Sequence, residues 1–148
     1  MEIAGVAGGR AVMMPASYPA VMRGLGMVYA LVTVVAFGFP DRVIASLNAT
    51  AALTGLGSAL PVSSERFWLV PATSMMATSA VLFFLAARAP EVRGYAQALL
   101  VSKVVPFTAF LYLFVREGAF AYLGGLGADA VLAVVLAAYL FGAGGRPQ

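Results

Sequence analysis

Two long apolar runs face each other across a tight turn in the last third of the chain, and they decide what it can become. Tyr95 to Val115 and Phe120 to Phe141 are separated only by Arg116, Glu117, Gly118 and Ala119. About 20 apolar residues in a helix match the hydrocarbon thickness of a bilayer, and so short a break makes the two helices antiparallel neighbours. Gly24 to Phe39 and Phe67 to Ala87 are two earlier runs of the same kind. Composition agrees: 62% of the 148 residues are hydrophobic and 10% charged, where soluble domains run at about 45–50% and 25%. One small core could not bury that apolar surface, so lipid is the remaining solvent.

Backbone in hydrocarbon must satisfy its own hydrogen bonds, and long apolar runs do so as helices. The expected fold is therefore all-α, an integral membrane bundle of four transmembrane helices, with spans at about 22–39, 67–87, 95–115 and 120–141. They make up a membrane domain over 21–141, between a flexible tail at 1–20 and a second tail at 142–148. The formal charge of +3 is carried by scattered basic residues, not by a stripe that could follow a phosphate backbone. Nucleic acid is therefore not an expected partner. There is no cysteine and no histidine, which removes thiol exchange, iron–sulfur clusters and the commonest metal and haem ligand. No cofactor or metal is expected. Eight of the nine basic residues are Arg, and with the wealth of Ala, Gly and Val this points to a bacterial gene.

Along the chain, Arg23 precedes the first run and has to snorkel if that run spans. A signal peptide with cleavage near Gly38 is the rival reading, and the residues ahead of Arg23 favour an anchor over it. After Pro40, Asp41 is placed to cap a short helix reaching about Asn48 to Ala52. Val43, Ile44, Leu47 and Ala51 then share one face, with Arg42, Ser46 and Asn48 elsewhere. This helix either lies in the membrane interface or packs on the outer ends of the spans. Asn48-Ala49-Thr50 also matches the glycosylation sequon. For the second span, Ser63 or Ser64 is the candidate cap, Glu65 favours the positive end, Trp68 suits an interface, and Pro71 falls in or just past the first turn.

Four spans place both termini and the 88–94 turn on one side. That side holds Arg10, Arg23, Arg88, Arg93 and Arg146; the other holds Arg42, Arg66 and Arg116. The balance puts the termini inside, in the cytoplasm of a bacterial inner membrane.

Each of the last two runs carries one ionisable residue well inside it, Lys103 and Asp129. They lie about 15 and about 11 residues from Gly118, a depth difference of ~6 Å at the helical rise. An unpaired charge at that depth costs about 2.5–3.5 kcal/mol even on the lenient insertion scale, so the pair is expected to meet. One argument opposes this. Side chains lean toward the N-terminus of their own helix, so in an antiparallel pair the two lean apart, and Lys103 could snorkel while Asp129 stays neutral. Ala121, Gly125, Asp129, Ala133 and Ala137 recur every four residues, a stripe of small side chains that lets helices approach closely and should turn Asp129 into the bundle. Gly124 and Ala128 add a second small step beside it. Lys103, Phe107, Phe110 and Phe114 share a face of the preceding helix. Pro106 leaves the carbonyl of Ser102 without its usual donor and should kink the helix beside Lys103. Ser102, Pro106 and Gly125 are thus the supporting residues of a candidate polar site centred on Lys103 and Asp129.

Three readings of that site stand side by side: a register device between helices, a proton- or ion-linked site, or a ligand or cofactor contact. Thr73, Ser74, Thr78 and Ser79 fit bonds to backbone or to a neighbouring helix better than substrate contact. Met75 and Met76 read as packing. Gly124 to Gly127 lie inside an apolar helix, so they form no nucleotide loop, and neither a Ser/His/Asp set nor HExxH occurs.

Arg23-Gly-Leu-Gly-Met27 opening the first span, Phe39-Pro40 closing it, and four spans in a chain this short resemble the small DoxX-like bacterial membrane proteins. The resemblance covers mainly the first helix and the overall plan. It implies a four-helix bundle and, as for some members, a link to respiratory or redox-stress complexes; no functional residue is carried across. The expected function is a non-catalytic subunit or assembly partner of a membrane complex, surrounded by lipid and joined to other membrane subunits or to its own copies. The alternative is a small oligomeric transporter or channel using the Asp–Lys pair.

Overall fold

The computed structural model describes residues 14–60 and 69–142. Among these the chain forms five helices: α1 Tyr18–Gly38, α2 Pro40–Thr54, α3 Leu69–Arg88, α4 Arg93–Glu117 and α5 Phe120–Gly142. Strands are absent from the described residues apart from one isolated bridge, Ser58 to Ala119. All but α2 are long and apolar enough to cross a membrane. The all-α four-helix bundle read from the sequence is the fold. Ser63, Ser64, Glu65 and Trp68, assigned to the start of the second span, lie outside the described residues.

The first span starts earlier than its hydropathy suggests. Tyr18, Pro19 and Ala20, expected in a flexible tail, form the first turn of α1, where Pro19 costs no hydrogen bond. Tyr18 and Met22 are the reason the turn is held: both are fully buried, in a cluster with Phe83, Ala86 and Ala87 of α3, Ala96 and Leu99 of α4, and Leu136 and Leu140 of α5. Tyr18 also meets Tyr139 edge-on at 5.1 Å between ring centroids. This cluster joins all four spans at the end nearest both termini.

Asp41 does not cap α2. Phe39 is the single residue between α1 and α2, and Pro40 occupies the first helical position. Proline has its φ preset and no N–H to satisfy, so the helix begins before Asp41. The acid then lies inside the first turn, where its charge complements the helix dipole. Val43, Ile44, Leu47 and Ala51 form the covered face as expected, but Asn48 joins them. Its Nδ2 donates to the Leu60 carbonyl at 3.0 Å and its Oδ1 accepts from the Leu60 amide at 2.8 Å. α2 packs on α1 and α5.

Beyond α2 the chain is tied to the far turn. The Ser58 amide donates to the Gly118 carbonyl at 2.8 Å, and the Phe120 amide donates to the Ser58 carbonyl at 3.0 Å. Gly57 makes room for this at φ 103°, since a Cβ there would stand 2.6 Å from the Gly118 carbonyl oxygen. Gly118 itself ends α4 in the left-handed conformation, its amide donating to Phe114.

Helix pairing does not follow sequence alone. α1 packs along α3 and α4 along α5, whereas α3 and α4 meet over a shorter seam. Gly26 brings α1 against Phe84, whose ring carbons would lie 3.1–3.2 Å from an added Cβ. Gly125 does the same for α5 and Phe110, at 2.8–3.0 Å. Each pair is thus a small residue under an aromatic ring, the close approach that drives packing where no hydrophobic effect operates.

Candidate functional site: an intramembrane ion pair

The stripe Ala121, Gly125, Asp129, Ala133 and Ala137 turns inward, with Asp129 its most covered member. The second small step, Gly124 and Ala128, faces outward. On α4 the face of Lys103, Phe107, Phe110 and Phe114 is likewise covered, and Phe110 rests on Gly125. The two faces bring Lys103 and Asp129 together, with 4% and 8% of their surfaces exposed.

Lys103 Nζ lies 3.8 Å from Asp129 Oδ1. That is an ion pair but longer than a hydrogen bond, as two side chains leaning to opposite ends would give. The lysine stem covers most of the depth difference and stops short of closing it. The ammonium has two further contacts that sequence reasoning did not assemble. Nζ donates to Ser79 Oγ at 3.4 Å, and it stands 4.2 Å from the centroid of the Tyr29 ring. Tyr29 is in turn backed by Phe83 at 5.3 Å between centroids. Three residues, one from each of the other spanning helices, therefore surround the Lys103 ammonium of α4: Tyr29 of α1, Ser79 of α3 and Asp129 of α5.

Each contact fits its chemistry. A desolvated ammonium over an aromatic face gains about 2 kcal/mol, and a hydroxyl oxygen accepts readily from a cation. Asp129 is less well served: among the described residues its carboxylate has the Lys103 ion pair and no hydrogen bond. By sequence, Thr73, Ser74, Thr78 and Ser79 can each bond to backbone carbonyls or to a neighbouring helix. Thr73 and Thr78 do donate to the carbonyls of Leu69 and Ser74, at 2.6 and 2.8 Å, whereas Ser79 alone reaches a neighbouring helix. Tyr29 was not singled out at all. Its signal was a phenol in mid-span, where a tyrosine needs more than lipid around it.

The supporting residues divide. Gly125 belongs to the site through Phe110. Ser102 turns away, its Oγ donating to its own helix at the Leu99 carbonyl, 2.7 Å off. Pro106 leaves α4 unbroken, since the helix runs from Arg93 to Glu117 through it.

Both ends of the α4–α5 pair carry polar latches. Arg93 Nη2 donates to the Leu140 carbonyl, in the last turn of α5, where a cation complements the helix dipole. At the other end Tyr122 OH donates to Glu117 Oε2 at 2.8 Å, and within α4 Arg116 Nη1 donates to Tyr112 OH at 3.0 Å. Tyrosines therefore lie at both ends of the spans, as interfacial residues do. The chain matches no protein-family model, no curated protein and no solved structure at a significant level.

Proposed function

We propose that this chain is a non-catalytic subunit or assembly partner of a membrane complex, a multi-pass protein of a bacterial inner membrane with both termini in the cytoplasm. The observation that carries the reading is the closure of the ion pair within the chain. The Lys103 ammonium is met by one residue from each of the other three spans, so its charge serves to hold the bundle together. Small size, short turns and outward-facing small residues on α5 leave much of the surface free for neighbouring helices. The deciding experiment is mild solubilisation of native membrane and affinity purification of the tagged chain. A stoichiometric membrane partner is the expected result, and recovery of the chain alone in lipid argues against the subunit reading.

A second reading is favoured by one feature. Among the described residues Asp129 is held only by an ion pair of 3.8 Å, which leaves its carboxylate free to exchange that partner for a proton or a cation. On this reading the chain is a small oligomeric transporter in which Lys103 tunes Asp129. Flux in proteoliposomes that is lost in Asp129→Asn with stability retained supports transport, and absence of flux from the unaltered protein rejects it.

A further inference from the structure

A cleft of ≈ 210 Å³ opens on the seam between α3 and α4, lined by Ser74, Met75, Thr78, Ser79, Leu82 and Ser102. Its hydroxyls are not equivalent. Thr78 and Ser102 donate to carbonyls of their own helices, so their protons are committed. Ser79 is buried, with 5% of its surface exposed, and its oxygen already accepts from Lys103. Its own O–H meets no acceptor among the described residues, although a hydroxyl is a donor as well as an acceptor. A buried donor thus stands at the floor of a cleft whose walls include Met75 and Leu82.

We propose that this cleft binds an uncharged, bilayer-dissolved amphiphile. A carbonyl or ether oxygen in its small head accepts the Ser79 proton, and its chain lies along Met75 and Leu82. Depth selects the class. Ser79 lies about nine residues from the end of α3, or ~14 Å at the helical rise, which is near the middle of a ~30 Å hydrocarbon core. A charged head is penalised at that depth, and phospholipid headgroups stay at the interface. Binding is felt beyond the cleft. An acceptor on the Ser79 proton raises the electron density on Ser79 Oγ and strengthens the bond from Lys103, so the ligand tightens the contact joining the four spans. The inference holds whether or not the chain is a subunit.

The test is thermal unfolding of the purified full chain in detergent micelles with 2-undecanone or undecane, two probes of equal chain length that differ in the carbonyl. At tenfold excess over its Kd the ketone is expected to raise the midpoint by about 3–6 °C, and undecane to leave it in place. Ser79→Ala removes the donor, and Thr78→Leu fills the cleft from its exposed side; each should abolish the shift. If Ser79→Ala does not fold, Thr78→Leu decides alone. No shift with the ketone, equal shifts with both probes, or a ketone shift that survives Thr78→Leu overturns the proposal.

Discussion

At the scale of single residues, the structure turns on how one ammonium is accommodated without water. Removing either partner of a buried ion pair strands the other, at a cost of about 3–5 kcal/mol. Lys103→Met and Asp129→Asn should therefore each lower stability by about that amount in detergent unfolding. The double variant should recover most of the loss, because a matched neutral pair leaves no charge in hydrocarbon. A loss in the double variant equal to the sum of the two single losses would show that the two act independently. Tyr29→Leu keeps the ion pair and removes the aromatic face, so a smaller loss of about 1–2 kcal/mol is expected in the same measurement. Lys103 and Asp129 were legible because charges inside apolar runs are conspicuous. Tyr29 and Ser79 were not, because neither residue type is rare in a membrane helix and nothing local reveals which helix each faces.

At the scale of helices, close approach is set by glycine under aromatic rings. An added methyl at Gly125 meets Phe110 at 2.8 Å, closer than van der Waals contact allows. Gly125→Ala should cost about 1–3 kcal/mol as overpacking does, and Phe110→Leu in the same chain should restore part of it. Unchanged unfolding of Gly125→Ala would mean that the ring moves aside freely. Gly57→Ala faces a second obstacle, a positive φ together with a backbone oxygen 2.6 Å away. It should destabilise by more than about 1 kcal/mol and speed hydrogen exchange at the Ser58 and Phe120 amides. The small-residue stripe around Asp129 was readable from its period of four. The aromatic ring on Gly125 was not, since Phe107, Phe110 and Phe114 are equivalent candidates until the helices are docked. The start of α1 was missed because Pro, Ser and Ala before it suggest a tail, although Pro19 just inside the helix is itself a start signal.

At the scale of the whole molecule, hydropathy defined four rods and left their arrangement open. Apolar periodicity says that a helix has neighbours without saying which, so the pairing of α1 with α3 and the looser α3–α4 seam emerged only in three dimensions. Orientation can be tested directly because the chain has no cysteine. In spheroplasts, Ala49→Cys on the exposed side of α2 should react with a membrane-impermeant maleimide. Glu91→Cys, in the turn before α4, should react only after the membrane is broken. The reverse pattern places the termini outside.

The order of synthesis gives the central ion pair one further consequence. Lys103 reaches the translocon before the helix bearing its counter-charge has been made, so α4 enters the bilayer with a charge that only a later segment can answer. A chain stopped after Glu117 would lack both Asp129 and the Phe120 amide that fastens the Ser58 loop. Such a fragment should be cleared by quality-control proteases while the full chain accumulates. The bundle around Lys103 therefore closes only once α5 is in place, which makes α5 the checkpoint for the helices inserted ahead of it.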